Sequence, residues 1–249
     1  MPPLLFIHGA GHGAWCWDEH FTPWFRSLGF EAVALDLTGH GSRQERSVRW
    51  VPFSCYVEDV RGAAVSFDRP PVLVGHSLGA LVVERYLSAG GRAAGLVLAA
   101  PVPHNVAPLM ARLVRTNPGR VLRMMATLSF KPLFATPQAF AVFFSPTMPK
   151  QDIARLQARA QDESVRAFVD ALLTPLAPPR PATVPTLLVA GSEDAMVTVA
   201  EHRRTAAYHS AELCLLPGIG HDLMLDVGWE SAARRIDNFV RSLAGRLPA

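Results

Sequence analysis

Short runs of consecutive apolar residues, each followed by a stretch with helical spacing, recur along this chain and leave few folds open to it. Leu4-Leu5-Phe6-Ile7, Glu31 to Leu35, Pro71 to Val74, Gly95 to Ala99, Thr186 to Ala190 and Glu212 to Leu216 read as strands. Helical patterns occupy the intervals: Trp17 to Leu28, Tyr56 to Phe67, Leu78 to Ser88, Val199 to Ala207 and Trp229 to Leu243. A strand with one wet face alternates apolar and polar residues. These runs are apolar on both faces, the mark of a parallel sheet covered by helices on each side. The expected class is α/β, with about six mostly parallel strands. At 249 residues, the chain suits one large fold or a fold with an insert.

The rhythm breaks between Val102 and about Thr183. That stretch carries helical periods (Leu109, Arg112, Leu113; Val121, Met124, Met125; Phe140, Phe143, Phe144) and no clear strand. Pro137 and Pro149 sit where helices can begin, and Pro175, Pro178, Pro179 and Pro181 make a stiff exit. The organisation read from this is a core of residues 1–101 and 184–249 with a helical lid over 102–183. Charge is uneven too. Val102 to Lys150 holds six basic residues and no acid, in a chain of net charge +3.

Composition narrows function mainly by exclusion. With 49% hydrophobic and 18% charged residues, the chain is not a disordered, solvating one. It has no run of ~18 apolar residues, so no integral membrane association is expected. Met1-Pro2-Pro3-Leu4 lacks the basic start of a secretory signal. Cys16, Cys55 and Cys214 are odd in number and far apart, which suits neither a disulfide framework nor a metal site. A cytoplasmic location, no metal and no nucleic-acid partner are therefore expected.

Gly75-His76-Ser77-Leu78-Gly79 lies between an apolar strand and an amphipathic helix. This is a G-x-S-x-G turn in the strand-to-helix context that makes such a serine a nucleophile. A serine hydroxyl needs a base to take its proton. The chain has nine histidines, and His221 alone follows a late strand, on the Gly218-Ile219-Gly220 loop. The base needs a carboxylate to orient it. The strand Leu187 to Ala190 runs into Gly191-Ser192-Glu193-Asp194, which offers two candidates, Asp194 and Glu193. An oxyanion would be held by the Leu78 N–H and by one from the loop after the first strand, His8-Gly9-Ala10-Gly11-His12-Gly13, where Ala10 is the choice. That glycine-rich loop lacks the G-K-[ST] of a phosphate cradle.

Together, His8 to Trp15, Asp36-Leu37-Thr38-Gly39-His40-Gly41, the Ser77 turn, Asp194 and His221 resemble the α/β-hydrolase fold family, over about two thirds of the chain. The first stretch is similar to the plant methylesterase and hydroxynitrile lyase group. The resemblance implies Asp194 rather than Glu193 as the acid. It implies that the insert is a lid, and that the sheet lacks the family's first two strands, so that Leu4 to Ile7 lies centrally. The lyases carry a lysine beside the catalytic histidine, where this chain has Asp222. That departure disfavours cyanohydrin chemistry.

The expected function is a cofactor-independent serine hydrolase of a carboxylic ester or thioester. The alternatives are a non-hydrolytic enzyme of the same fold (acyltransferase, lyase or C–C bond hydrolase) and a non-catalytic small-molecule receptor. His12, Met124, Phe130, Phe140 and Phe144 are the expected pocket residues. The expected substrate is a small molecule with an apolar acyl part and an anionic group. Oligomeric state is not legible.

Overall fold

The computed structural model describes residues 1–44, 47–173 and 177–244. Six strands form one sheet in the order β2-β1-β3-β4-β5-β6, and all five pairings are parallel. They are β1 (Leu4–Ile7), β2 (Ala32–Leu35), β3 (Val72–His76), β4 (Gly95–Ala99), β5 (Thr186–Gly191) and β6 (Glu212–Leu216). β1, β3, β4 and β5 are buried at every position. Leu4, Phe6, Val72, Val74, Leu187 and Val189 belong to one core cluster, and Leu5, Ile7, Leu73, Leu96, Leu98 and Leu188 to the other. Alternate residues thus serve opposite faces, which is why the runs read as unbroken apolar sequence. β1 is interior but only one strand from the edge, not at the centre, because β2 alone lies beyond it.

The helices α1 (Trp15–Asp18), α2 (Phe21–Ser27) and α12 (Trp229–Ala244) cover the first face. α3 (Phe53–Ala64), α4 (Leu78–Ser88) and α11 (Val199–Tyr208) cover the second. The single helix expected from Trp17 to Leu28 is two. Pro23 lies in the first turn of α2, where its ring would clash with the carbonyl four residues back in a continuous helix. α11 opens with a reciprocal cap in which Thr198 and Glu201 satisfy each other's backbone N–H groups.

Between β4 and β5 the chain forms six α-helices and no strand among the described residues. They are α5 (Ala107–Thr116), α6 (Pro118–Thr127), α7 (Lys131–Phe134), α8 (Pro137–Phe140), α9 (Lys150–Gln157) and α10 (Val165–Leu172). Pro137 begins α8 with the Thr136 hydroxyl accepting the Ala139 N–H at 3.2 Å, as its position in the sequence suggests. Pro149 instead flanks α9 from outside. Pro175 lies outside the described residues. No described helix is long and apolar enough to cross a membrane.

The chain leaves β1 to one side for β2 and returns on the other for β3. This is the reversal point beside which open α/β sheets bind ligands, off the carboxyl ends of the strands. The loop after β1 and the turn after β3 therefore meet. A side chain at Gly79 would place its Cβ 2.3 Å from the His8 carbonyl oxygen and 2.7 Å from that of Ile7. Neither backbone atom can yield. Gly79→Ala is expected to cost at least ~3 kcal/mol and to lower Tm by roughly 6–12 °C. Gly62→Ala, in α3 with nothing within 4 Å, should instead stabilise by about 0.5–1 kcal/mol. Paired thermal melts test the contrast.

Candidate active site

Ser77 joins β3 directly to α4 with φ 51° and ψ −117°, a conformation that a non-glycine residue adopts only when its surroundings impose it. The turn also brings backbones together: a Cβ on Gly75 would lie 2.7 Å from the Ala80 Cα. The glycines two before and two after the serine are thus both places where a side chain cannot fit. The Ser77 hydroxyl lies 3.0 Å from His221 Nε2. His221 Nδ1 lies 2.8 Å from Asp194 Oδ2. Asp194 Oδ1 accepts the N–H groups of Met196 and Val197, both at 2.8 Å, so the carboxylate cannot rotate.

Burial by itself would depress the His221 imidazole. The charge and hydrogen bond of Asp194, with the charge of Asp222, outweigh it and raise the pKa above 6.5. For Asp194 burial would raise the pKa, but His221 and His202 hold the carboxyl well below its usual range. Glu193, the rival acid, is exposed and accepts the Ser192 hydroxyl at 3.2 Å. It does not reach His221.

The first loop presses on the serine: a Cβ on Gly9 would lie 2.9 Å from Ser77 Cβ. Both residues chosen as oxyanion donors, Ala10 and Leu78, line the same cavity as Ser77 and His221. Neither N–H has a hydrogen-bond partner among the described residues. The cavity holds about 390 Å³ between the sheet and the inserted helices.

Of the expected pocket residues, His12 and Phe130 line the cavity, while Met124, Phe140 and Phe144 do not. These three are buried within the first core cluster. Phe140 packs on Phe134, Phe143 and Phe144, with ring centroids 5.3–6.4 Å apart. The Phe144 backbone fills the space where a Gly220 side chain would stand. Leu109, Met110, Leu113, Phe134, Phe143 and Phe168 line the cavity in their place.

Sequence reading missed two features. His202, on α11, donates from Nε2 to Asp194 Oδ2 at 3.1 Å, so two histidines share one carboxylate oxygen. Asp222, fully buried, lies 3.1 Å from His12 Nε2 and 3.5 Å from His76 Nε2. The motifs do not signal either contact. Only the adjacency of Asp222 to His221 hinted at one.

Two groups of metal-ligand side chains also converge, His76-His221-Asp222 and Glu84-His104-His209. Their hydrogen bonds suit protons rather than a cation. His221 already meets Ser77 and Asp194. His209 Nδ1 accepts the Ala182 N–H at 3.1 Å, which leaves the proton on Nε2, 3.0 Å from Glu84. A metal on that nitrogen would require an imidazolate.

Residues 4–235 match the model of the alpha/beta hydrolase family. The chain is a member of that family. A non-heme haloperoxidase of Rhodococcus erythropolis is 27% identical over 243 residues, covering 89% of this chain and 86% of that protein. Methylesterase 10 of Arabidopsis thaliana is 36% identical over 113 residues, 42% of this chain and 39% of that one. A probable esterase of Oryza sativa subsp. indica is 39% identical over 90 residues, and the match spans only 34% of its length. Among solved structures, an Arabidopsis methylesterase superposes with a TM-score of 0.72 at 19% identity, over 97% of this chain and 99% of its own. At that identity the likeness is one of fold. This hydrolase-family chain shares with it the sheet and the covering helices.

Proposed function

We propose that the protein is a serine hydrolase that cleaves a carboxylic ester or thioester through an acyl-enzyme. The observation that carries this reading is the Ser77–His221–Asp194 hydrogen-bonded line, 3.0 and 2.8 Å long, opening into an apolar cavity. Ser77 Oγ attacks the carbonyl carbon while His221 Nε2 takes its proton. Asp194 holds the Nδ1–H tautomer and stabilises the imidazolium. The Ala10 and Leu78 N–H groups receive the negative oxygen. His221 then protonates the leaving alcohol or thiol, and the acyl group stays on Ser77. Water gives a proton to His221 and attacks the acyl carbon; the bond to Ser77 Oγ breaks, His221 returns the proton to that oxygen, and the acid leaves. No step draws on a cofactor. In this reading residues 102–183 act as a lid over the cavity and shape the acyl site.

A fluorophosphonate probe with p-nitrophenyl and thioester substrates tests the reading. The expected result is stoichiometric labelling of Ser77 and turnover of at least one ester. Labelling without turnover would move the assignment to acyl transfer or lyase chemistry, and absence of labelling to a binding protein.

Charge pairing supports a finer substrate class. Of the acids lining the cavity, Asp222 faces His12 and Glu163 faces His40, Tyr56 and two backbone N–H groups. Arg112 is committed to Glu201 and the Met196 carbonyl. Arg115 and Arg120 also line the cavity, at the corner between α5 and α6, and have no carboxylate partner among the described residues. An apolar acyl substrate carrying an anionic group suits that wall. For matched neutral and anionic esters, kcat/KM of the anionic one is expected to fall with added salt, since attraction is screened over ~8 Å at physiological ionic strength. The double variant Arg115→Gln, Arg120→Gln should lower it about tenfold and spare the neutral ester. Equal responses would make the basic corner a solvated surface.

A further inference from the structure

The loop after β1 holds two histidines in opposite protonation states. His8 Nδ1 donates to the Gly9 carbonyl at 2.9 Å, and its Nε2 accepts the Leu37 N–H at 3.1 Å. One nitrogen gives and one receives, so His8 is neutral. His12 differs. Its Nδ1 lies 2.9 Å from the Ala10 carbonyl oxygen and its Nε2 lies 3.1 Å from Asp222 Oδ2. A carbonyl and a carboxylate can only accept. Both ring nitrogens must therefore carry hydrogen, and His12 is an imidazolium.

Its surroundings fit a cation. His12 and Asp222 are 2% and 0% exposed, and Asp222 is the one acid in contact with the ring among the described residues. The other neighbours are Trp15, stacked at 5.3 Å, then Phe140, Phe143 and His76 at 6.0–6.5 Å. Among the described residues, His76 is the other ring with a nitrogen at the Asp222 carboxylate, 3.5 Å away, and His221 feels its charge from further off. Burial pushes the His76 pKa down to about 3, and its Nε2 also donates to the His221 carbonyl at 3.1 Å, so it stays neutral. The negative charge of Asp222 is answered first by the hydrogen-bonded His12.

The position of this cation matters. Around Ala10 the backbone is tied down group by group. Gly9 O meets the His8 ring and the His12 N–H, and Ala10 O meets the His12 ring. Gly11 N–H donates to Glu163 Oε2 at 3.3 Å, and Gly11 O accepts the Gln161 N–H at 2.8 Å. The Ala10 N–H has no hydrogen-bond partner among the described residues, and Ala10 lines the cavity. Asp222 in turn follows His221 directly, so the same pair ties the first loop to the loop of the base.

We propose that His12 is a positioning residue: as a fixed imidazolium held by Asp222, it sets the Ala10 peptide for the oxyanion and adds positive charge beside it. This role rests on the serine-hydrolase reading, in which charge develops at the Ala10 N–H. It acts on the transition state more than on the bound ester. Its loss should therefore appear in kcat rather than KM.

The variants are His12→Gln, Asp222→Asn and the double, assayed on the best ester found for the wild type. Each single change is expected to lower kcat about 10- to 100-fold with KM within about threefold. The double should be no worse than about either single, because both remove one unit. Affinity for an alkyl boronic acid, which forms a tetrahedral adduct on Ser77, should weaken in step with kcat. Unchanged kcat and boronate affinity, or a rise in KM alone, would overturn the proposal. If a variant does not fold, nitrogen NMR of 15N-histidine wild-type protein decides: the ring of His12 must show two protonated nitrogens at neutral pH, and one bare nitrogen refutes it. The NMR result stands even for a protein that cleaves no ester, whereas retained turnover in Ser77→Ala would strike the hydrolase reading alone.

Discussion

Ser77→Ala is expected to lower kcat by about 10⁴-fold or more while leaving the thermal midpoint nearly unchanged. The size follows from what the hydroxyl does. Without Oγ no acyl-enzyme forms, and the remaining rate is that of water placed by His221 beside the open N–H groups of Ala10 and Leu78. The small effect on stability follows from the site. Ser77 Oγ is hydrogen-bonded to His221 and supports no secondary structure, and the strained backbone tolerates alanine as well as serine. The measurement is single-turnover kinetics beside a calorimetric melt. A rate within about a hundredfold of wild type would remove Ser77 from the nucleophile's role. A collapsed melt would point instead to a structural part for the hydroxyl.

The strands were legible because each lies between two cores. Leu4-Leu5-Phe6-Ile7 is fully apolar because Leu4 and Phe6 face one cluster and Leu5 and Ile7 the other. The serine turn was legible because Gly75 answers to a contact within five residues, the Ala80 backbone, even though Gly79 answers to the distant carbonyls of Ile7 and His8. Such local constraints leave a readable spacing. The break between α1 and α2 obeys an equally local rule, at Pro23, but the apolar period of Trp17, Phe21, Phe25 and Leu28 runs across it and hides it.

Pocket residues were less legible for a physical reason. Helical periodicity separates buried from exposed, whereas a cavity wall and a solid core are both buried. Phe143 faces the cavity while its neighbour Phe144 packs behind Gly220, and nothing in the pair of side chains distinguishes them. His12 and Asp222 are 210 residues apart, and their contact exists only because the parallel strands β1 and β6 deliver their following loops to the same carboxyl end of the sheet. The basic segment was visible as charge, but the commitment of Arg112 on α5 to Glu201 on α11 spans 89 residues and depends on the tertiary fold.

Asp194→Asn is expected to cost about 10⁴-fold in kcat, and Glu193→Gln less than about twofold. The hydrogen bonds around Asp194 dictate how the asparagine must sit. Its oxygen has to take the Oδ1 position, since the Met196 and Val197 N–H groups both donate there. The amide NH2 then replaces Oδ2 and presents hydrogens to His221 Nδ1 and His202 Nε2, which in the wild type both point at an acceptor. His221 can satisfy that donor only by giving up its Nδ1 proton, which places the remaining proton on Nε2, facing Ser77. That tautomer cannot accept the serine proton. The pH dependence carries the same logic. In the wild type the raised pKa of His221 means that kcat/KM is lost as pH falls through a value above 6.5. Removing the Asp194 charge removes the main raising influence, so any residual activity should persist to lower pH. A kcat/KM profile over roughly pH 5 to 9 for both variants tests this. A large loss in Glu193→Gln with Asp194→Asn spared would transfer the acid's role. The wild-type separation, with Asp194 2.8 Å from the imidazole and Glu193 turned to Ser192, argues for the opposite result.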